Sequence, residues 1–62
     1  MTKVQKEAIQ RKTEEMYKVM LTSSGDPEEA HSTADAILCE ALQALGCEKL
    51  VEYYHKVDKW YA

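Results

Sequence analysis

Apolar residues recur at helical spacing near the start of the chain. Ile9, Met16 and Met20 lie seven and four residues apart, which places them on one face of a helix. Thr2, with a glutamine three residues later, has the sequence of a capping box, in which each side chain satisfies a free backbone N–H. The pattern predicts a first helix over residues 2–21.

A second apolar stripe follows the sequence Asp26-Pro27-Glu28-Glu29. Asp26 can cap a helix, Pro27 suits its first position, and the two glutamates oppose the positive helix end. We expect a helix over residues 27–45, and we expect it to be the most buried helix of the chain. Its predicted inward face consists of Ala30, Ala34, Ile37, Leu38, Ala41, Leu42 and Leu45.

Gly46 separates this helix from a third, which is predicted over residues 47–58. The pattern contains no strand signal, so the fold class is predicted to be all-α, a three-helix bundle. The whole chain, residues 1–62, is expected to form a single domain. The line of the third helix that we expect to complete the core consists of Leu50, Tyr54, Val57 and Tyr61.

The composition is that of a small foldable domain with a marginal core. The chain has 62 residues, of which 45% are hydrophobic and 31% charged. A chain of this size buries only about 60% of the surface that its unfolded form exposes, so association or close helix packing is favoured. The net charge of −3 divides into +2 for residues 1–25 and −5 for residues 26–62. This asymmetry favours attraction between helices, within or between chains.

The expected location is the cytoplasm of the host. The sequence has no apolar run long enough to span a membrane, and it does not begin with the apolar run of a signal peptide. Cys39 and Cys47 belong to no CxxC pair, and we expect both to be free thiols.

Aromatic residues are concentrated at the end of the chain, where four of the five occupy the last ten positions. Some can complete the core, and others can be exposed as contacts for a partner, because Trp and Tyr dominate binding hot spots. Tyr54 lies on the expected core line, whereas Tyr53 and Trp60 lean off it. The predicted partner-binding residues are Tyr53, Trp60 and Tyr61.

One row of residues has the side-chain types of a metal site. His31, Asp35 and Cys39 are spaced i, i+4 and i+8, so that two of them can reach one ion. The alternative is a surface pair of His31 and Asp35 beside a half-buried cysteine. We predict no cofactor, and we retain the row as the candidate metal ligands.

Catalysis and nucleic-acid binding have less support in the sequence. Cys39 and His31 lie about 12 Å apart along one helix, which is too far for activation of the thiol. We therefore predict that the protein is not an enzyme. The first helix carries Arg11 and Lys12 among other cations, but acidic residues dilute them, so nucleic-acid binding remains an alternative through this basic helix.

Two stretches, residues 30–40 (AHSTADAILCE) and residues 59–62 (KWYA), resemble small helical proteins of uncharacterised activity encoded by phages and prophages of Firmicutes. The resemblance implies a bacterial cytoplasm and a phage-related context, and it transfers no site residues. From the residues and the resemblance together we predict a non-enzymatic protein-interaction module. It is expected to self-associate or to bind a host or phage protein through the C-terminal aromatic patch.

Overall fold

The computed structural model describes residues 1–57, which form three α-helices and no strand. The helices are α1 (Lys3–Thr22), α2 (Pro27–Ala44) and α3 (Glu48–Lys56). The predicted all-α three-helix fold is therefore confirmed, and the helix bounds agree with the prediction to within one or two residues. The predicted contacts Trp60 and Tyr61 lie outside the described residues.

Local side-chain chemistry sets the helix ends. The backbone N–H of Gln5 donates to Thr2 Oγ1 at 3.1 Å, and the N–H of Thr2 donates to Gln5 Oε1 at 2.9 Å, so the predicted capping box is present. Asp26 Oδ1 accepts from the N–H of Glu29 at 3.2 Å at the start of α2. Gly46 has a φ of 84°, a conformation that glycine adopts without a steric penalty, and it separates α2 from α3.

The three helices lie side by side in one layer with α2 in the middle. Both α1 and α3 pack on α2, and within residues 1–57 they do not pack on each other. The Cα atoms extend over 36 × 28 × 9 Å, so the layer is about as thick as one helix. A layer of this kind covers α2 on two opposite sides and leaves its two remaining sides open.

The core is small and centred on α2, as predicted. Its buried apolar residues are Ile37 and Cys39 of α2 and Val51 of α3, whereas α1 contributes no fully buried residue. Val51 is only 1% exposed, which makes it the most enclosed of the three.

Predicted core positions on both α2 and α3 are wrong. Leu38 belongs to the predicted stripe of α2, yet it is 56% exposed, because the neighbouring helices flank α2 and neither covers this side. On α3, the predicted line fails at Leu50 and Val57, which are both exposed. The helix instead turns Val51 toward α2, since Val51 lies with Cys39 and Leu42 around the space between the two helices.

Candidate functional site

The candidate metal ligands His31, Asp35 and Cys39 lie along α2, but they have different surroundings. His31 Nε2 lies 3.8 Å from Asp35 Oδ1, which is the expected i,i+4 pair. Cys39 is buried between α2 and α3. Within residues 1–57, no group of three or more His, Cys, Asp or Glu side chains is arranged to hold a metal ion.

Asp35 has a structural partner that the sequence analysis did not identify. The hydroxyl of Tyr54 donates a hydrogen bond of 2.9 Å to Asp35 Oδ2, and this bond joins α3 to α2. Tyr54 was predicted as a core residue, but its side chain is 37% exposed and reaches the carboxylate at the edge of the interface. A tyrosine placed in this way buries part of its ring and keeps its hydroxyl satisfied.

Of the three predicted partner-binding residues, Tyr53 is the one that lies among the residues described by the structure. Its side chain is exposed, as predicted, and the ammonium group of Lys49 lies 5.8 Å from the centre of its ring. This is a cation–π distance, but both groups are solvated, so the attraction is weak. Tyr53 is available at the outer side of α3.

A larger exposed surface lies on the broad side of the helix layer. The α1–α2 groove has a volume of about 420 Å³ and is lined by Met16, Tyr17, Met20 and Leu38, among others. The smaller α2–α3 groove, of about 160 Å³, is lined by Leu38 and Tyr54, among others. Leu38 borders both grooves, so they open on the same side of the layer, and Leu38 forms the ridge between them.

We call this surface the apolar face, and its members come from all three helices. They are large apolar or aromatic residues whose side chains are each more than one-third exposed: Tyr17, Met20, Leu38 and Tyr54. Monomeric soluble proteins expose single apolar residues freely, whereas large contiguous apolar patches mark binding surfaces. The apolar face is the strongest candidate site among the described residues.

The opposite side of α2 is polar. Glu40 lies two positions after Leu38, which is about 200° round the helix. Lys12 Nζ donates to Glu40 Oε1 at 2.7 Å and also lies 3.2 Å from Glu15 Oε2. The hydrogen bond to Glu40 raises the pKa of Lys12 above its ordinary value, and Glu15 acts in the same direction. The two broad sides of the layer therefore differ in chemistry.

The spacing of the apolar-face residues is visible in the sequence, but the sequence analysis assigns Leu38 and Tyr54 to the core. Tyr17 and Met20 are three residues apart on α1, and Leu38 is at the margin of the α2 stripe. Their spacing shows that they share a face, but it does not show whether a neighbouring helix covers that face.

Comparisons with protein-family models, with curated proteins and with solved structures found no match. The resemblance to phage-encoded proteins therefore stays a prediction. The helices formed by residues 1–57 include none that is both long enough and apolar enough to cross a membrane.

Proposed function

We propose that this protein is a non-enzymatic protein-interaction module of the bacterial cytoplasm, and that it binds another protein chain through the apolar face. The bound chain is a second copy or a different host or phage protein. The observation that carries the proposal is the position of Leu38, which is 56% exposed on a ridge between two apolar grooves.

The chemistry of the apolar face suits protein binding. Tyr17 and Tyr54 supply large aromatic surfaces with polar ends, and such residues are enriched at protein interfaces. Met16 and Met20 are flexible and polarizable, so the α1–α2 groove can adapt to an inserted side chain. Burying the exposed half of the Leu38 side chain contributes about 1 kcal/mol to binding.

The C-terminal aromatic patch remains part of the proposal as a peripheral element. Tyr53 is exposed on α3, the same helix that contributes Tyr54 to the apolar face. Trp60 and Tyr61 stay candidate contacts on sequence grounds alone. The free thiols Cys39 and Cys47 are consistent with a reducing cytoplasm.

The proposal is tested by capture on an immobilised chain. The analytes are the same protein in solution and, separately, a bacterial lysate. Leu38→Glu places a charge on the ridge and is expected to abolish retention of a specific protein. Ala36→Glu places the same charge on α2 at an exposed position on the polar side, and it is expected to leave retention unchanged. The proposal fails if neither analyte gives retention that depends on Leu38.

A further inference from the structure

We infer that the chain bound by the apolar face is a second copy, and that Leu38 of each copy enters the α1–α2 groove of the other. The inference rests on the proposed function and identifies its partner. The pairing is two-fold symmetric, so that each copy uses the same surface. In this arrangement α1 of one copy lies over α2 of the other, and the four helices enclose a common core.

The exposed area of the chain matches what such a pairing needs. A compact monomer of 7.1 kDa is expected to expose roughly 4,100 Å². This chain exposes 4959 Å², an excess of about 850 Å² over that expectation. A stable interface of standard size buries about 800 Å² on each partner, which is comparable to this excess.

The shape of the chain leads to the same conclusion. Its radius of gyration is 12.7 Å, whereas a compact domain of this length is expected to have about 10.6 Å. The layer is 9 Å thick, and most domains consist of two packed layers around one core. A second layer laid on the apolar face converts the flat monomer into that ordinary arrangement.

The charges of α1 and α2 favour one alignment of the two layers over the others. Helix α1 carries five basic and three acidic residues, whereas α2 carries four acidic residues and no lysine or arginine. The net charge is therefore +2 for α1 and −4 for α2. Stacking α1 of one copy on α2 of the other sets a net positive helix on a net negative one, whereas stacking like helices pairs net charges of the same sign. That alignment also sets each Leu38 over the larger of the two grooves, which has a volume of about 420 Å³.

The first test is light scattering across concentration. The wild-type chain is expected to have a mass of about 14 kDa, twice the 7.1 kDa of one chain, and Ala36→Glu should match it. Leu38→Glu is expected to stay at 7.1 kDa while its circular dichroism remains helical, since Leu38 is exposed in the monomer. A wild-type chain that remains monomeric up to about 1 mM overturns the inference. The proposed function survives that result if lysate capture still depends on Leu38.

The second test uses complementary charges. Tyr17 lines the groove that Leu38 of the other copy enters, so Tyr17→Lys alone is expected to be monomeric. In a mixture with Leu38→Glu, the introduced carboxylate meets the introduced ammonium at one site, and at the second site the native Leu38 enters a groove that keeps its native Tyr17 and Met20. The mixture is therefore expected to dimerise although neither variant does so alone. If the wild type dimerises and the mixture does not, the faces pair in another way and the inferred arrangement is wrong. If Leu38→Glu unfolds, Met20→Glu takes its place in the light-scattering test, and the wild-type chain is the control.

Discussion

The two interfaces of α2 bury different numbers of side chains, and the interface with the shorter helix buries more of them completely. The α1–α2 interface joins helices of 20 and 18 residues, yet α1 brings no fully buried side chain and a groove remains open beside Ile37. The α2–α3 interface involves only the nine residues of α3, yet it buries Cys39 and Val51. The length of the helices therefore does not determine how many side chains an interface buries. The shape and the direction of the side chains determine it.

The difference has a physical cause in the residues that meet. Val51 is short and β-branched, and it is almost fully enclosed between α3 and α2. The Tyr54–Asp35 hydrogen bond then fixes the edge of that interface. On the other side of α2, the long side chains of Met16 and Met20 line the groove and keep part of their surface in solvent, and Lys12 extends from the groove lining to Glu40 on the polar side. The α2–α3 interface therefore encloses Cys39 and Val51 beside its smaller groove, and the α1–α2 interface leaves more apolar surface exposed in its larger groove.

The largest expected effects come from truncating one buried side chain in each interface. Ile37→Ala should lower the free energy of unfolding by about 3 kcal/mol, and Val51→Ala by about 2 kcal/mol, since both remove buried methyl groups and leave cavities. Urea denaturation followed by circular dichroism measures both changes. A chain of 62 residues has a total stability of only about 3 to 9 kcal/mol, so either loss is a large fraction.

The matched controls for these variants are exposed neighbours. Leu21→Ala on α1 and Leu50→Ala on α3 are expected to change the free energy of unfolding by less than about 0.5 kcal/mol. If Leu50→Ala costs as much as Val51→Ala, α3 packs through its other face. The contrast between the two interfaces would then be lost.

A smaller effect is expected at the edge of the α2–α3 interface. Tyr54→Phe removes the hydroxyl that donates to Asp35 and should lower the free energy of unfolding by about 1 kcal/mol. Urea denaturation again gives the value. Tyr53→Phe is the control, because Tyr53 is exposed and its ring contact with Lys49 does not need the hydroxyl. Equal effects of the two variants contradict a role for the Tyr54–Asp35 bond.

The smallest effect concerns the charged edge of the α1–α2 interface. The hydrogen bond to Glu40, with help from Glu15, raises the pKa of Lys12 in the folded chain above 10.5. The stabilisation is therefore fully present below pH 10.5 and is lost as pH rises through the higher folded pKa. The melting temperature of the wild type should exceed that of Lys12→Met at neutral pH, and the difference should shrink above pH 10.5. A difference that is constant with pH rules out the ion pair as its origin.

The helices and their ends could be predicted from the sequence because local residues determine them. The capping box at Thr2, the Asp26-Pro27 start of α2 and the glycine at position 46 all act within a few residues of the backbone they satisfy. None of these signals depends on how the helices pack. The bounds were therefore correct to within one or two residues.

The packing faces were less predictable, and the reason differs between helices. On α2, periodicity showed an apolar arc but not the directions from which the other helices approach, so Leu38 was assigned to the core. On α3, nine residues form too few turns for the pattern to choose between Leu50 and Val51. The exposure of Tyr53 agrees with its predicted position beside the expected core line and not on it.

The positions of the two thiols allow detachment of α3 from α2 to be measured by cysteine labelling. Cys47 is half-buried at the start of α3, whereas Cys39 is enclosed beneath that helix. An alkylating reagent should modify Cys47 in the native chain, but it reaches Cys39 only when α3 lifts from α2. The rate of Cys39 labelling, compared with global unfolding in urea, therefore distinguishes a detaching third helix from collapse of the whole fold. The experiment uses the two native cysteines and needs no engineered one.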